Sequence, residues 1–93
     1  MSFKDKKILI TGATGGIGND LVDKFSKLGT KIIATGTNFE KLNILKDKYK
    51  SIEIKQFKLE EHSKIESFIE SCSTDLGGLD ILINNAGITL DNI

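Results

Sequence analysis

Thr11-Gly12-Ala13-Thr14-Gly15-Gly16-Ile17-Gly18 is the stretch that decides the fold of this 93-residue chain. It stands between an apolar run, Ile8-Leu9-Ile10, and a helical pattern that opens near Ile17. Gly12 allows the chain to turn sharply off a strand, Gly16 lets backbone approach a pyrophosphate with no Cβ in the way, and Gly18 lets a helix sit close on a sheet. An anion held here meets a helix N-terminus, where unpaired N–H groups and the positive end of the helix dipole both favour it. Taken alone, the same glycines also fit a purely structural turn between strand and helix.

The pattern on either side of the turn repeats. A first strand is predicted over Lys7 to Thr11, a continuous apolar run bounded by polar residues, of the kind a parallel strand shows when both of its faces are covered. A first helix follows from about Gly16 to Leu28, with Ile17, Leu21, Val22, Phe25 and Leu28 on one stripe, and Gly29 stops it. Lys31 to Thr35 is the second strand. Asn38 caps a second helix that runs to about Tyr49, with Leu42, Leu45 and Tyr49 on its buried face. Ile52, Ile54, Phe57 and Leu59 mark a third strand over Ser51 to Leu59, whose alternation slips by one residue near Gln56. A third helix carries Ile65, Phe68, Ile69 and Cys72, with Ser63 and Glu66 at the spacing of a capping box, a start slightly ahead of Ser63 being the alternative. The loop Ser73 to Gly78 ends that helix, and a fourth strand, Leu79 to Ile83, leads into Asn84-Asn85-Ala86-Gly87.

Strand and helix therefore alternate as βαβαβαβ. Right-handed crossovers turn that alternation into a parallel sheet with helices on its faces, the first half of a Rossmann-type doubly wound α/β fold. Ligands in such sheets bind beyond the carboxyl ends of the strands, where strand order reverses. The glycine turn and the Asn84 turn both fall on that edge, and their convergence favours a dinucleotide site over a structural turn.

Composition narrows the function classes. The 13 basic and 13 acidic residues cancel and are interspersed, so neither nucleic acid nor an acidic membrane surface is an expected partner. No run approaches the length of a membrane span or forms a signal peptide, and a cytoplasmic protein is expected. The single Cys72 lies on an apolar stripe and reads as inert core. His62, the only histidine, stands among Glu60, Glu61 and Ser63 and reads as solvated. Neither a nucleophile–base pair nor a metal-ligand cluster can be assembled, and no Gly-Lys-Ser/Thr ending makes the turn a P-loop.

With both turns in view the chain resembles the short-chain dehydrogenase/reductases, whose first half carries Thr-Gly-x-x-x-Gly-x-Gly after strand one and Asn-Asn-Ala-Gly after strand four. The continuation Gly87-Ile88-Thr89-Leu90-Asp91-Asn92 looks like the 3-oxoacyl-[acyl-carrier-protein] reductases of fatty-acid biosynthesis. The resemblance implies the strand order 3-2-1-4. It also implies that Gly12, Ala13, Thr14, Gly15, Gly16, Ile17 and Gly18 wrap the pyrophosphate and adenosine ribose. Asn85, Ala86 and Gly87 would then lie against the cofactor on its nicotinamide side, while Asn84 is structural. In the family a carboxylate at the end of strand two holds the free 2′-hydroxyl of NAD. Here that segment is Thr35-Gly36-Thr37-Asn38, with no carboxylate, and Thr37 occupies a position the reductases use for NADP. NADP(H) is thus the implied cofactor and NAD is disfavoured.

Two departures stand against that choice. Gly15 occurs where many relatives place an arginine, and Lys58, before Leu59, occurs where an Asp or Asn faces the adenine; Lys58 or Lys41 could supply the missing positive charge. A third departure concerns chemistry. The family works through a Ser, a Tyr and a Lys in Tyr-x-x-x-Lys, whereas Tyr49 is the only tyrosine and Glu53 stands four residues on. No catalytic residue is therefore assigned. Residues 1–93 are expected to be the N-terminal, cofactor-binding part of such a reductase, truncated or split from its catalytic half, with that complementary half or a second copy as partner. The alternative is a non-catalytic nucleotide-binding or assembly module.

Overall fold

The computed structural model describes residues 2–58 and 62–85. Its elements follow the expected alternation: β1 (Lys7–Thr11), α1 (Gly16–Lys27), β2 (Lys31–Gly36), α2 (Phe39–Lys48), β3 (Glu53–Gln56), α3 (His62–Leu76) and β4 (Ile81–Asn84). All strand pairs are parallel and the sheet order is β3-β2-β1-β4. The register sets Ile8, Leu9 and Ile10 opposite Ile32, Ile33 and Ala34 on one side and Ile81, Leu82 and Ile83 on the other.

Side chains on a strand alternate between faces, so β1 and β2 feed two cores. Ile8, Ile10, Ile32 and Ala34 point to the face covered by α1 and α2, where they join Val22, Leu45 and Ile52, with Phe25 and Tyr49 packed against them. Leu9 and Ile33 point the other way and meet Cys72, Phe68, Ile69 and Leu76 of α3. Burying each of these large aliphatic side chains is worth roughly 1.5–3 kcal/mol. Cys72 is fully buried and free, and burial pushes its thiol above the ordinary value, as expected of an inert core residue.

Several sequence-based boundaries shift, each for a visible reason. Ile17 and Leu28 are not on the buried stripe of α1: they are 69% and 48% exposed, because Ile17 lies in the first turn at the sheet's upper edge and Leu28 is the C-cap. Tyr49 caps α2 instead of extending it, and its hydroxyl donates to Asp23 Oδ1 of α1 at 2.9 Å. Asn38 is the N-cap as expected, accepting the N–H of Lys41 at 3.0 Å. Strand β3 is shorter than Ser51 to Leu59. Ile52 turns back through its N–H to the Tyr49 carbonyl, and after Gln56 the ring of Phe57 stacks on Phe68 of α3. Among the described residues α3 already includes His62, so Ser63 lies inside the helix and the earlier of the two expected starts holds.

Helix α3 also runs on through Ser73 to Leu76, whose side chain helps cover the second core. Gly77 and Gly78, at φ 79° and 132°, then return N–H groups to Thr74 and Ser73 to close it. Strand β4 starts at Ile81, not Leu79. Asp80 clamps its approach, its N–H donating to the Lys7 carbonyl and its Oδ2 accepting the Lys7 N–H. Among the described residues nothing pairs with the outer edge of β4, and Leu82 is 46% exposed.

Candidate nucleotide-binding site

The carboxyl ends of β1, β2 and β4 meet the first turn of α1. The chain leaves β1 at Thr11 and turns at Gly12, whose φ of 61° suits glycine. The loop is then tied down: the Ala13 N–H donates to the Thr35 carbonyl at 3.0 Å, and the Gly15 N–H to the Gly12 carbonyl at 3.3 Å. Gly15 is the N-cap of α1; no side chain caps the helix, and no acidic residue occupies its first turn. First-turn N–H groups have no acceptor within a helix, so this end presents donors and an uncancelled positive dipole.

The glycines divide the work. A Cβ at Gly18 would stand 2.2 Å from the Gly12 carbonyl oxygen and 2.7 Å from Ala13 Cα, so a side chain there is incompatible with the seating of α1 on β1. A Cβ at Gly16 meets nothing within 4 Å: that position faces open space. The first packs the helix; the second leaves room for a ligand. Ala13 has its side chain wholly in the core and its N–H committed to Thr35, so it is a structural member of the loop.

Over this turn lies a cavity of about 470 Å³, a usual size for a small-molecule site. Of the residues the sequence reading assigns to the cofactor, Gly12, Thr14, Gly15, Gly16, Ile17, Thr37 and Asn85 line it. Asn85 closes it on the β4 side, Nδ2 donating to the Gly12 carbonyl at 3.3 Å. Its neighbour Asn84 has the structural part expected of it, accepting the Thr11 hydroxyl on Oδ1 at 2.9 Å. Gly18 and Ala13 stand behind the wall. Lys58 is exposed and does not line the cavity, while Lys41 lines a smaller groove of about 200 Å³ that shares Thr14. Leu59, Ala86, Gly87 and the side chain of His62 lie outside the described residues.

Four lining residues were not among the sequence-predicted site: Thr11, Thr35, Gly36 and Phe57. Gly36 faces Thr14, whose Oγ1 lies 3.4 Å from where a Cβ at residue 36 would be. Thr35 and Phe57 read as ordinary strand residues, and only the sheet order brings them to the cavity. Among the described residues no lining side chain is charged. The cavity therefore offers backbone N–H groups, hydroxyls, one amide and apolar surface, which suits a phosphate at the helix end and neutral groups elsewhere. A dinucleotide fits that description. Among the described residues no group of three or more His, Cys, Asp or Glu could hold a metal, and no helix is long and apolar enough to cross a membrane.

Comparison with known proteins agrees with this geometry. Residues 6–92 match the short chain dehydrogenase family. Over its whole length the chain is 37% identical to 3-oxoacyl-[acyl-carrier-protein] reductase FabG of Escherichia coli, covering 38% of that protein. It is 38% identical over 84 residues to NADP-dependent 3-hydroxy acid dehydrogenase YdfG of Escherichia coli, covering 89% of this chain and 34% of the relative. A crystal structure of a short chain dehydrogenase from Bacillus anthracis superimposes with a TM-score of 0.80 at 32% identity, over 90% of this chain and 35% of the other. The chain thus spans little more than a third of the length of the relatives it matches.

Proposed function

This chain belongs to the short-chain dehydrogenase family, and from that premise we propose that it is the cofactor-binding part of an NADP-dependent oxidoreductase of the 3-oxoacyl-[acyl-carrier-protein] reductase type. The observation that carries the proposal is the uncapped N-terminus of α1, open at Gly16, on the same sheet edge as Asn85. The first-turn N–H groups of α1 would hold the pyrophosphate, and Thr14 and Thr37 offer hydroxyls to the ribose end. Asn85 would face the cofactor, and the family resemblance extends that cofactor contact to Ala86 and Gly87. Gly36 and Thr37 present no carboxylate to repel a 2′-phosphate, and two relatives, the reductase and the NADP-dependent hydroxy acid dehydrogenase, share this part of the chain.

Bound, the nicotinamide supplies a hydride for a ketone. Protonation of the resulting oxygen needs a group these 93 residues do not contain, since no Tyr-x-x-x-Lys occurs among them. The proposal therefore includes a complementary catalytic half or second copy, docked on the open edge of β4 beside exposed Leu82, and a cytoplasmic setting, with which the free thiol of Cys72 agrees. The second reading, a non-catalytic nucleotide-binding or assembly module, draws on the same lack of Tyr-x-x-x-Lys.

Fluorescence titration of NADPH against wild type and Gly16→Val tests the cofactor site; equal affinities would remove it. Purified chain should not reduce an acetoacetyl thioester with NADPH, whereas addition of the catalytic half of a relative should restore turnover. Failure of that addition, with NADPH binding intact, would favour the non-catalytic module.

A further inference from the structure

The outer face of α2 carries a charge pattern that finds no partner among the described residues. Leu42 and Leu45 turn into the core, while Ile44 points away from them, 68% exposed in the middle of the helix. A lone exposed isoleucine needs no explanation; its setting does. At about 100° per residue, Glu40 and Asp47 fall roughly 40–60° to one side of Ile44, and Lys41 and Lys48 fall as far to the other. Ile44 is thus flanked by an acidic row and a basic row, and all four charged side chains are exposed.

This spacing does not serve the helix itself. Acid and base stand next to each other in sequence, and residues one apart do not face each other on a helix. Among the described residues none of the four forms an ion pair. Lys48 lies over the Tyr49 ring, 5.7 Å from its centroid, and Tyr49 is tied to Asp23 of α1, so Lys48 is held in place without a carboxylate of its own. The basic row also lines the groove of about 200 Å³ beside α1, together with Thr14 and Asn19, and Ile44 and Leu45 supply its apolar part.

The two rows select both the partner and its direction. When two copies set this face together in parallel, about a twofold axis running along the helix, the acidic row of each lies against the basic row of the other. Glu40 is then level with the partner's Lys41, and Asp47 with the partner's Lys48, each within one residue's rise of about 1.5 Å. Turned antiparallel, acid would meet acid and base would meet base, which opposes association. A purely acidic partner would leave Glu40 and Asp47 unmatched, and a purely basic one Lys41 and Lys48. A surface carrying both rows satisfies all four, and this chain carries one.

We propose that the chain self-associates through α2, Ile44 packing on Ile44 of the partner subunit, with ion pairs on both sides of that contact and the partner's acidic row lying along the groove. The inference is independent of the nucleotide site and of the open β4 edge. One helix face is small beside the roughly 1,200–2,000 Å² that a stable interface buries, so the association is weak, reversible and salt-sensitive.

Sedimentation velocity of the 93-residue chain at rising concentration, in about 20 mM and about 500 mM salt, is the test. Wild type should dimerise in low salt and dissociate in high salt. Lys41→Glu with Lys48→Glu should weaken the dimer by about tenfold or more, as should Glu40→Lys with Asp47→Lys, and so should Ile44→Asp. An equimolar mixture of the two charge variants should associate again. Leu82→Lys, on the β4 side, should leave the dimer intact. Far-ultraviolet circular dichroism should show each variant folded, since every substituted side chain is exposed. Carbodiimide coupling in a mixture of isotopically light and heavy chain should join Glu40 of one copy to Lys41 of the other. Wild type that stays monomeric at millimolar concentration in low salt would overturn the proposal. So would a dimer that the α2 charge variants leave unchanged or that Leu82→Lys abolishes, and links between copies at other places alone would overturn the parallel arrangement.

Discussion

Gly16 and Gly18 lie two residues apart on one helix, and the same substitution at each should move stability in opposite directions. Alanine at Gly18 puts a Cβ 2.2 Å from the Gly12 oxygen, 2.7 Å from Ala13 Cα and 2.9 Å from the Gly12 carbonyl carbon. All three are backbone atoms, so no side chain can swing aside and α1 itself must lift off β1 by nearly an ångström. Overpacking of this kind costs about 1–3 kcal/mol, here at the upper end, and the better helix propensity of alanine returns about 1 kcal/mol. The net loss is about 2 kcal/mol. For a chain of this size that lowers Tm by roughly 8–16 °C, against a total stability on the order of 5–14 kcal/mol.

Alanine at Gly16 meets nothing within 4 Å, and so it keeps the benefit of restricting the unfolded chain, about 0.4–1 kcal/mol, or a Tm higher by roughly 2–8 °C. Thermal melts followed by far-ultraviolet circular dichroism, with urea titrations beside them, measure both. The helix-propensity gain is common to the pair, so the difference between the variants isolates the contact with Gly12. Gly18→Ala melting at or above wild type would refute the close seating of α1 on β1; Gly16→Ala falling as far as Gly18→Ala would refute the open position from which the ligand site is argued.

Asn38→Ala should cost about 1 kcal/mol and lower Tm by roughly 4–8 °C, because it removes the acceptor of the Lys41 N–H; melts of the two proteins decide it. Hydrogen bonds from Lys27 and Tyr49 hold the Asp23 carboxyl below its ordinary value of 3.8. A depressed native value stabilises the fold above the unfolded pKa and is lost as pH falls through the native one. The urea midpoint of wild type should therefore exceed that of Asp23→Asn above about pH 4 and converge on it in stronger acid. A gap that persists at low pH would refute the pairing. Gly36→Asp adds a carboxylate beside Thr14 with its Cβ at ordinary contact distance, and should shift preference from NADPH toward NADH by about tenfold or more; an unchanged ratio in paired titrations would refute the reading of the β2 end.

The order of elements was legible because each carries a local signal that agrees with the global packing. Lys7 to Thr11 has the unbroken apolar run of a doubly covered strand, and β1 occupies those same residues. Asn38 stands where a helix needs a cap and accepts the N–H it should. What slipped was whatever tertiary packing decides. The alternation of the third strand fails at Gln56 because Phe57 is drawn into the stack with Phe68, a partner that lies in another element. Ser63 and Glu66 have the spacing of a capping box, yet α3 includes His62, so the alternative of an earlier start is the one the packing takes. Ile17 fits a helical stripe by period, yet it is 69% exposed and lines the cavity, away from the core.

The site divides along the same line. Gly12, Gly16 and Gly18 could be read from sequence because the demands on them come from backbone geometry next to them in the chain: a positive φ, an open approach, a close seating. Thr35 and Phe57 could not, because their part in the cavity depends on the parallel pairing that sets Thr35 beside Lys55 and carries Phe57 past the end of β2. A strand residue at the carboxyl end of a parallel sheet serves two masters. Its backbone completes the ladder, which the sequence pattern reports, while its side chain meets whatever is bound above the edge, which the pattern does not. In this chain the Thr35 carbonyl accepts the Ala13 N–H while its hydroxyl has no partner, so among the described residues it is Thr35 whose side-chain hydrogen bonding the protein alone leaves incomplete.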